Sequence, residues 1–278
     1  MNVTILGCGY VGTAVARYWT QTVGLNVTAT TTTRERIQSL NAVADRVQVV
    51  QGNDVNRLKS ILEDQEVVLL SVAAQGKNRD AQAYRHAYLE TAETLAYILP
   101  QLPKIKQLIY TGSYAVYGDQ NGAEVDESTA IDPASENSEI LAKTEEILLN
   151  IGRDTLKVCI LRLGGIYGPN RELVKIWSRV AGTTRPGDGN YPTHWIHLDD
   201  IVGAIEFARQ NQLQGLYNVV DQSNYTLREL VELVCKTHHL EPIIWDESQP
   251  NKRPYNVKLS NQKILKAGYQ LIHPHTLI

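Results

Sequence analysis

Six residues near the start of the chain combine types and spacing suited to one kind of chemistry. Gly7-Cys8-Gly9-Tyr10-Val11-Gly12 directly follows the apolar run at residues 3–6 and opens a helical stretch at about Val11. In a strand-to-helix turn, the first glycine allows the tight turn and the second lets the backbone approach a pyrophosphate. The third lets the helix pack closely on the strand. Amide N–H groups and the positive helix end then hold the phosphates. A ligand-free tight turn can carry the same glycines, but the strand and helix flanking them favour the phosphate reading. Cys8 sits where a helix N-terminus can activate a thiol, although the position also serves as a spacer.

A dinucleotide site built for NAD carries an acid roughly 20 residues further on, to bind the ribose 2′-hydroxyl. Residues 1–34 contain no Asp or Glu, and the second apolar run ends in Thr30-Thr31-Thr32-Thr33-Arg34. Hydroxyls at Thr31 and Thr32 and a guanidinium at Arg34 suit a 2′-phosphate, which Arg pairs bidentately. NADP is therefore the preferred cofactor, with NAD the alternative. Thr33 as a helix cap and Arg34 as a solvated charge would need no ligand.

These residues must be positioned by alternating strands and helices. Short runs rich in Val and Ile fall at residues 3–6, 27–30, 47–50, 67–72, 107–111 and 158–163, with helical stretches at 11–20, 34–40, 84–99 and 138–150. The 84–99 stretch puts Tyr84, Ala87, Tyr88, Thr91, Leu95 and Ile98 on one helical face. Runs apolar throughout belong to parallel strands covered on both faces. The alternation predicts an α/β Rossmann fold, a doubly wound parallel sheet with a small C-terminal substrate lobe. Gly and Pro gather between residues 164 and 192; a helix near Asp199 and Asp200, a strand at 216–220 and a helix at 226–238 follow. We read residues 1–165 as the NAD(P)-binding domain. Residues 166–278 supply the last strands and helices and the substrate lobe, interleaved into one structural unit.

Of the 278 residues, 43% are hydrophobic and 21% charged, and the net charge is −3. There is no basic excess to draw the chain onto nucleic acid or an anionic membrane. No apolar run approaches the ~18–20 residues of a membrane span. Cys8, Cys159 and Cys235 lack zinc or disulfide spacing, as expected in a reducing compartment. The expected protein is cytoplasmic, a monomer or homodimer, with a small-molecule substrate.

Four segments in order carry a resemblance. The glycine loop, Thr-Gly-Ser-Tyr-Ala-Val-Tyr-Gly at 111–118, Leu-Arg-Leu-Gly-Gly-Ile-Tyr-Gly-Pro at 161–169 and Ile-His-Leu-Asp-Asp at 196–200 resemble the NAD-dependent epimerase/dehydratase family, part of the extended short-chain dehydrogenase/reductases. Tyr-Asn-Val-Val-Asp at 217–221 fits the same order. The glycine spacing looks more like the atypical branch. The resemblance implies that Asp54 and Val55 meet the adenine, and that Ala73, Ala74 and Thr111 line the cofactor. It also implies that Ser113 hydrogen-bonds a substrate hydroxyl or carbonyl oxygen. A strand-end hydroxyl can equally satisfy a nearby backbone group.

The family's Tyr-x-x-x-Lys pair is absent from the sequence. If Lys143 takes the lysine position, Glu139 stands in place of the tyrosine; another register pairs Ser138 with Ala142. Glu139 could exchange a proton if desolvation raised its pKa, but a Glu beside Glu136, Glu145 and Glu146 is commonly a solvated face. Tyr167 is a further catalytic candidate, with Tyr114, Tyr117 and His194 behind it, and Asp199 or Asp200 reads as a helix cap. The expected function is an NAD(P)-dependent oxidoreductase or epimerase-like enzyme acting on a small polar, sugar- or nucleotide-linked substrate. The alternative is a non-catalytic NADP(H)-binding sensor or regulatory module.

Overall fold

The computed structural model describes residues 1–74, 80–251 and 253–278. In chain order the elements are β1 (Asn2–Leu6), α1 (Tyr10–Tyr18), β2 (Asn26–Thr31), α2 (Ile37–Leu40), β3 (Arg46–Val49), α3 (Val55–Leu62), β4 (Val67–Leu70), α4 (Ala81–Tyr84), α5 (Glu90–Ile98) and β5 (Gln107–Ser113). Next come β6 (Asp119–Val125), α6 (Glu136–Asn150), β7 (Lys157–Leu163), β8 (Gly165–Tyr167), α7 (Leu173–Trp177), β9 (Thr184–Pro186), β10 (Trp195–His197) and α8 (Leu198–Gln210). The last are β11 (Gly215–Val219), α9 (Leu227–Thr237), β12 (Ile244–Asp246), β13 (Asn256–Leu259) and α10 (Gln262–Lys266).

The chain forms two units: residues 1–113, 135–162 and 204–217 make the first, and 114–134, 163–203 and 218–278 the second. Three segments of the chain thus build each unit, where the sequence reading places one boundary at residue 165.

The apolar runs of the first unit become a seven-stranded parallel sheet in the order β11-β7-β5-β4-β1-β2-β3. Ile5 on β1 pairs with Ala29 on β2 and with Leu69 on β4. Every residue of β4 is buried, which explains its unbroken Val-Val-Leu-Leu run: polar side chains there would lose water without gaining partners. Leu70, Leu108 and Ile160 from the sheet pack with Leu95, Ile98 and Leu148 from α5 and α6. Each such buried side chain contributes about 1.5–3 kcal/mol. The strand order reverses between β1 and β4, and an open α/β sheet has its crevice beyond the strand ends at such a point.

Helix ends are fixed locally. Asp80 accepts from the Ala83 amide (2.9 Å) to start α4, which runs through a π-helical turn at Arg85–Leu89 into α5. Ser135 and Ser138 cap α6 reciprocally. In the second unit, β8 pairs with β10, β9 with β12 and β6 with β13, all parallel. The buried face of α9, including Leu230, Val231 and Val234, packs with Leu173 and Trp177 from α7. Among the described residues, no helix is long and apolar enough to cross a membrane.

Candidate cofactor and active site

The first unit contains a cavity of about 620 Å³ whose floor is the glycine loop, with Gly7, Cys8 and Gly9 among its lining residues. Gly7 has φ +90°, and a Cβ there would lie 2.7 Å from the Ser71 carbonyl oxygen. At Gly12, in the first turn of α1, a Cβ would lie 2.4 Å from the Gly7 oxygen. Gly9 differs: a Cβ there would meet nothing within 4 Å among the described residues. Chain packing therefore demands glycine at Gly7 and Gly12, while at Gly9 the open space is what a phosphate approaching the backbone needs. Tyr10 and Val11 enter α1 itself, Val11 buried beneath it.

The Cys8 thiol is buried, and burial pushes its pKa up to about 12 against the lowering influence of a Thr30 hydrogen bond and the Arg36 charge. It stays protonated at neutral pH, so the helix end does not activate it. The loop is tied to β2 twice: the Gly7 amide donates to Thr30 Oγ1 (3.1 Å) and the Cys8 amide to the Thr30 carbonyl (2.9 Å).

Thr30, Thr31, Thr32 and Thr33 line the cavity, and among the described residues no carboxylate lines it. The guanidinium that joins them belongs to Arg36. Its Nη1 donates to the Cys8 carbonyl and its Nη2 to Thr13 Oγ1 (3.2 Å). Arg34 is exposed at the start of a 3₁₀ turn and does not line the cavity. The arginine that lines the cavity is therefore Arg36, two residues beyond the Arg34 expected from the sequence.

Asp54 is exposed and caps α3 by accepting from the Arg57 amide (3.1 Å), and neither it nor Val55 lines the cavity. Val50, Gln51 and Gly52 line it instead. Gly52 brings the loop against α5, since a Cβ there would lie 1.8 Å from Thr91 Oγ1. Ala73 and Ala74 do line the cavity, together with Ser71 and Val72. Thr111 is half-buried and does not line the cavity; its hydroxyl donates to Ser71 Oγ (3.2 Å). His86, which the sequence reading passed over, lines the far wall and pairs with Glu90 (2.9 Å).

Ser113, half-buried, closes β5. On α6, Ser138, Leu141, Thr144, Glu145 and Leu148 are buried, while Glu139, Lys143 and Glu146 are exposed. Lys143 pairs at the surface with Glu146 (2.9 Å). Glu139 thus lacks the desolvation a proton-exchanging carboxylate needs, and the buried stripe contains neither Tyr nor Lys. The carboxylate that does turn inward is Glu145, which takes the Arg162 guanidinium of β7 bidentately: Nη2 to Oε2 is 2.7 Å and Nε to Oε1 is 3.2 Å. Glu145 presses on the strand ahead of Ser113, its Oε1 3.0 Å from where a Cβ on Gly112 would be.

In the second unit, Tyr167 is buried; its hydroxyl accepts from the Leu277 amide (3.0 Å), and burial raises its pKa to about 12. That phenol is held by the C-terminal segment and is a poor proton donor. Tyr117 is buried, with its hydroxyl 2.9 Å from the Asp126 carbonyl and 3.0 Å from Asn218 Oδ1. Burial lowers the His194 pKa to about 4, and its Nε2 lies between the Val257 carbonyl (2.9 Å) and the Leu259 amide (3.0 Å). Asp200, expected as a helix cap, is buried and receives the Ile272 (2.6 Å) and His273 (3.0 Å) amides. Tyr114 receives a hydrogen bond from Arg253, whose guanidinium also lies over the rings of Tyr255 (4.4 Å) and Tyr191 (5.2 Å).

Residues 3–219 match the model of the NAD dependent epimerase/dehydratase family. Protein YeeZ of Escherichia coli K12 is 29% identical over 248 residues, covering 87% of this chain and 85% of its own. Among solved structures, dTDP-glucose 4,6-dehydratase of Bacillus anthracis, in complex with NAD, superposes with a TM-score of 0.81 at 19% identity over 98% of this chain and 92% of its own. UDP-glucose 4-epimerase of Thermotoga maritima, with UDP-glucose, gives a TM-score of 0.78 at 21% identity, covering 98% and 94%. At these identities the two structures speak for the fold.

Proposed function

The chain belongs to the NAD dependent epimerase/dehydratase family, and on that premise we propose that it is an oxidoreductase or epimerase-like enzyme that binds NADP in preference to NAD. The observation that carries this reading is the acid-free wall of the cavity, where four consecutive threonines and Arg36 stand beside the glycine loop. A 2′-phosphate finds hydroxyl donors and a guanidinium there, whereas a free 2′-hydroxyl finds no carboxylate to bind it. Bound NADP(H) supplies a hydride acceptor or donor at the nicotinamide ring.

The chain's own contribution is positional. The glycine loop and the α1 N-terminus bind the pyrophosphate, Val50 to Gly52 border the adenine, and Ala73 and Ala74 leave room for the cofactor beyond β4. Ser113 orients a substrate hydroxyl or carbonyl oxygen. The substrate is small and polar, sugar- or nucleotide-linked, in keeping with the dTDP-glucose and UDP-glucose enzymes that share the fold. Protein and substrate meet as a monomer or homodimer in the cytoplasm.

A second reading, a non-catalytic NADP(H) sensor, is favoured by one observation: the buried stripe of α6 has no Tyr or Lys to exchange a proton. One experiment separates the two. The purified protein is titrated with NADPH and NADH by ligand fluorescence and thermal shift, then incubated with NADP(H) and a panel of alcohols, carbonyls and nucleotide sugars. Turnover that falls in Ser113→Ala supports the enzyme. Tight binding without turnover supports the sensor, and binding of neither cofactor removes both.

A further inference from the structure

The Ile-His-Leu-Asp-Asp motif and the C-terminal segment bring together three side chains that the proposed reaction does not use. His197 ends β10, Asp199 lies in the first turn of α8, and His273 follows α10 in the terminal segment. Asp199 Oδ2 lies 3.4 Å from His197 Nδ1 and 3.3 Å from His273 Nε2, and the three atoms all fall within 4.8 Å of one another. A tetrahedral ion with ligands at about 2.0–2.1 Å separates its ligand atoms by about 3.3 Å, so both carboxylate–imidazole separations are tetrahedral edges.

The donors are oriented before any ion arrives. In the metal-free chain His197 Nδ1 accepts from the Asp199 amide (3.2 Å), which holds the ring with this nitrogen on the Asp199 side; an ion at Nδ1 takes the place of that hydrogen bond. The two imidazoles meet edge to face, with ring centres 4.2 Å apart. His273 is held by its own amide on Asp200 Oδ2 (3.0 Å) and by the neighbouring Ile272 amide on Oδ1 (2.6 Å). His197 is buried, His273 half-buried and Asp199 exposed, which leaves one side of the cluster open to water for access and for a fourth ligand. Two imidazoles and one carboxylate select a borderline-soft ion over Mg²⁺ or Ca²⁺, which prefer oxygen donors.

We propose that His197, Asp199 and His273 bind one divalent transition-metal ion of the zinc type, which fastens the C-terminal segment to the start of α8. The segment beyond His273 gives the site its consequence. Thr276 donates to the buried Asp221 (2.5 Å) and Leu277 to Tyr167 (3.0 Å), so a clip at His273 anchors the strap that covers both residues.

The test uses the full chain without a histidine tag, stripped with EDTA and dialysed. Zn²⁺ is titrated by calorimetry, Co²⁺ by its visible absorption, and thermal stability is followed against Zn²⁺ concentration. Expected are one equivalent bound, a four-coordinate Co²⁺ spectrum, a melting temperature that rises with Zn²⁺, and no competition from excess Mg²⁺. His273→Gln and Asp199→Asn each weaken Zn²⁺ more than about 100-fold, beyond what loss of a group that merely hydrogen-bonds a ligand costs, while His275→Gln leaves it unchanged. Both substitutions are at exposed or half-buried positions, and the circular dichroism of each apo variant verifies its fold. No saturable binding, or binding that survives both substitutions or is lost equally in His275→Gln, overturns the proposal.

Discussion

Arg36 donates from Nη1 to the carbonyl of Cys8, so a guanidinium from the turn after β2 is pinned to the middle of the glycine loop. The same side chain reaches Thr13 on α1. It therefore closes the loop and presents positive charge at the wall where a ribose phosphate would lie. Arg36→Ala is expected to weaken NADPH binding about 10- to 100-fold, the value of a charge-assisted hydrogen bond of about 1.5–3 kcal/mol, and to change NADH binding much less. Arg34→Ala should shift either affinity by less than about threefold, since an exposed charge is well screened. Fluorescence titrations of both variants check this; a larger loss in Arg34→Ala would return the role to that residue.

The three loop glycines should fail in different ways. Gly12→Ala drives a methyl group against the Gly7 carbonyl and is expected to cost about 1–3 kcal/mol, the usual price of overpacking. Gly9→Ala meets open space and should leave stability within about 0.5 kcal/mol, while cofactor affinity falls more than about tenfold. Urea unfolding and NADPH titration of both variants separate packing from ligand approach. Equal destabilisation by the two would mean that Gly9 is also a packing glycine.

Much of this arrangement was legible in the sequence. The strands read as unbroken apolar runs because both faces of the sheet are covered, and the tight turn and close packing of Gly7 and Gly12 showed in the sequence because those demands are local. Arg36 did not. In a 3₁₀ turn of three residues, Arg34 and Arg36 point about 120° apart, and spacing alone cannot tell which faces the loop. Asp54 caps α3 outside the cavity, and an Asp after a strand has the same look in the sequence whether it caps a helix or meets a ligand. Glu145 looked like one more surface acid because its partner Arg162 is supplied by β7, 17 residues later. Tyr167 is occupied by a residue 110 positions away, a distance no local pattern spans.

On α6 the inward and outward acids should part company. Glu139→Gln and Lys143→Met change exposed positions and are expected to alter stability by less than about 0.5 kcal/mol, with no effect on turnover. Glu145→Gln leaves Arg162 buried and short of its carboxylate, and should cost about 3–5 kcal/mol. Ser113→Ala should leave NADPH binding intact and lower turnover about 10²- to 10³-fold, as loss of an oxyanion donor does. Steady-state kinetics alongside urea denaturation distinguish these outcomes, and a large kinetic loss in Glu139→Gln alone would restore that residue as the acid/base.

Two buried groups in the second unit tilt stability with pH in opposite directions. Burial depresses the His194 pKa from 6.5 to about 4, so between these values the unfolded chain binds the proton more readily and this contribution is lost as pH falls. Burial raises the Asp221 pKa from 3.8 to about 6, so here the folded chain binds the proton more readily and stability falls as pH rises through that window. Each shift amounts to about 3 kcal/mol across its window, and in the parent protein the two largely cancel between pH 4 and 6. In His194→Gln the stability difference, variant minus parent, should therefore fall by about 3 kcal/mol as pH rises from 4 to 7. In Asp221→Asn the same difference should rise by a similar amount. Subtracting the parent removes the titration of every unchanged group, so urea midpoints at each half pH unit read the two slopes directly. Parallel curves for a variant and its parent would mean that the substituted group titrates alike in folded and unfolded chains.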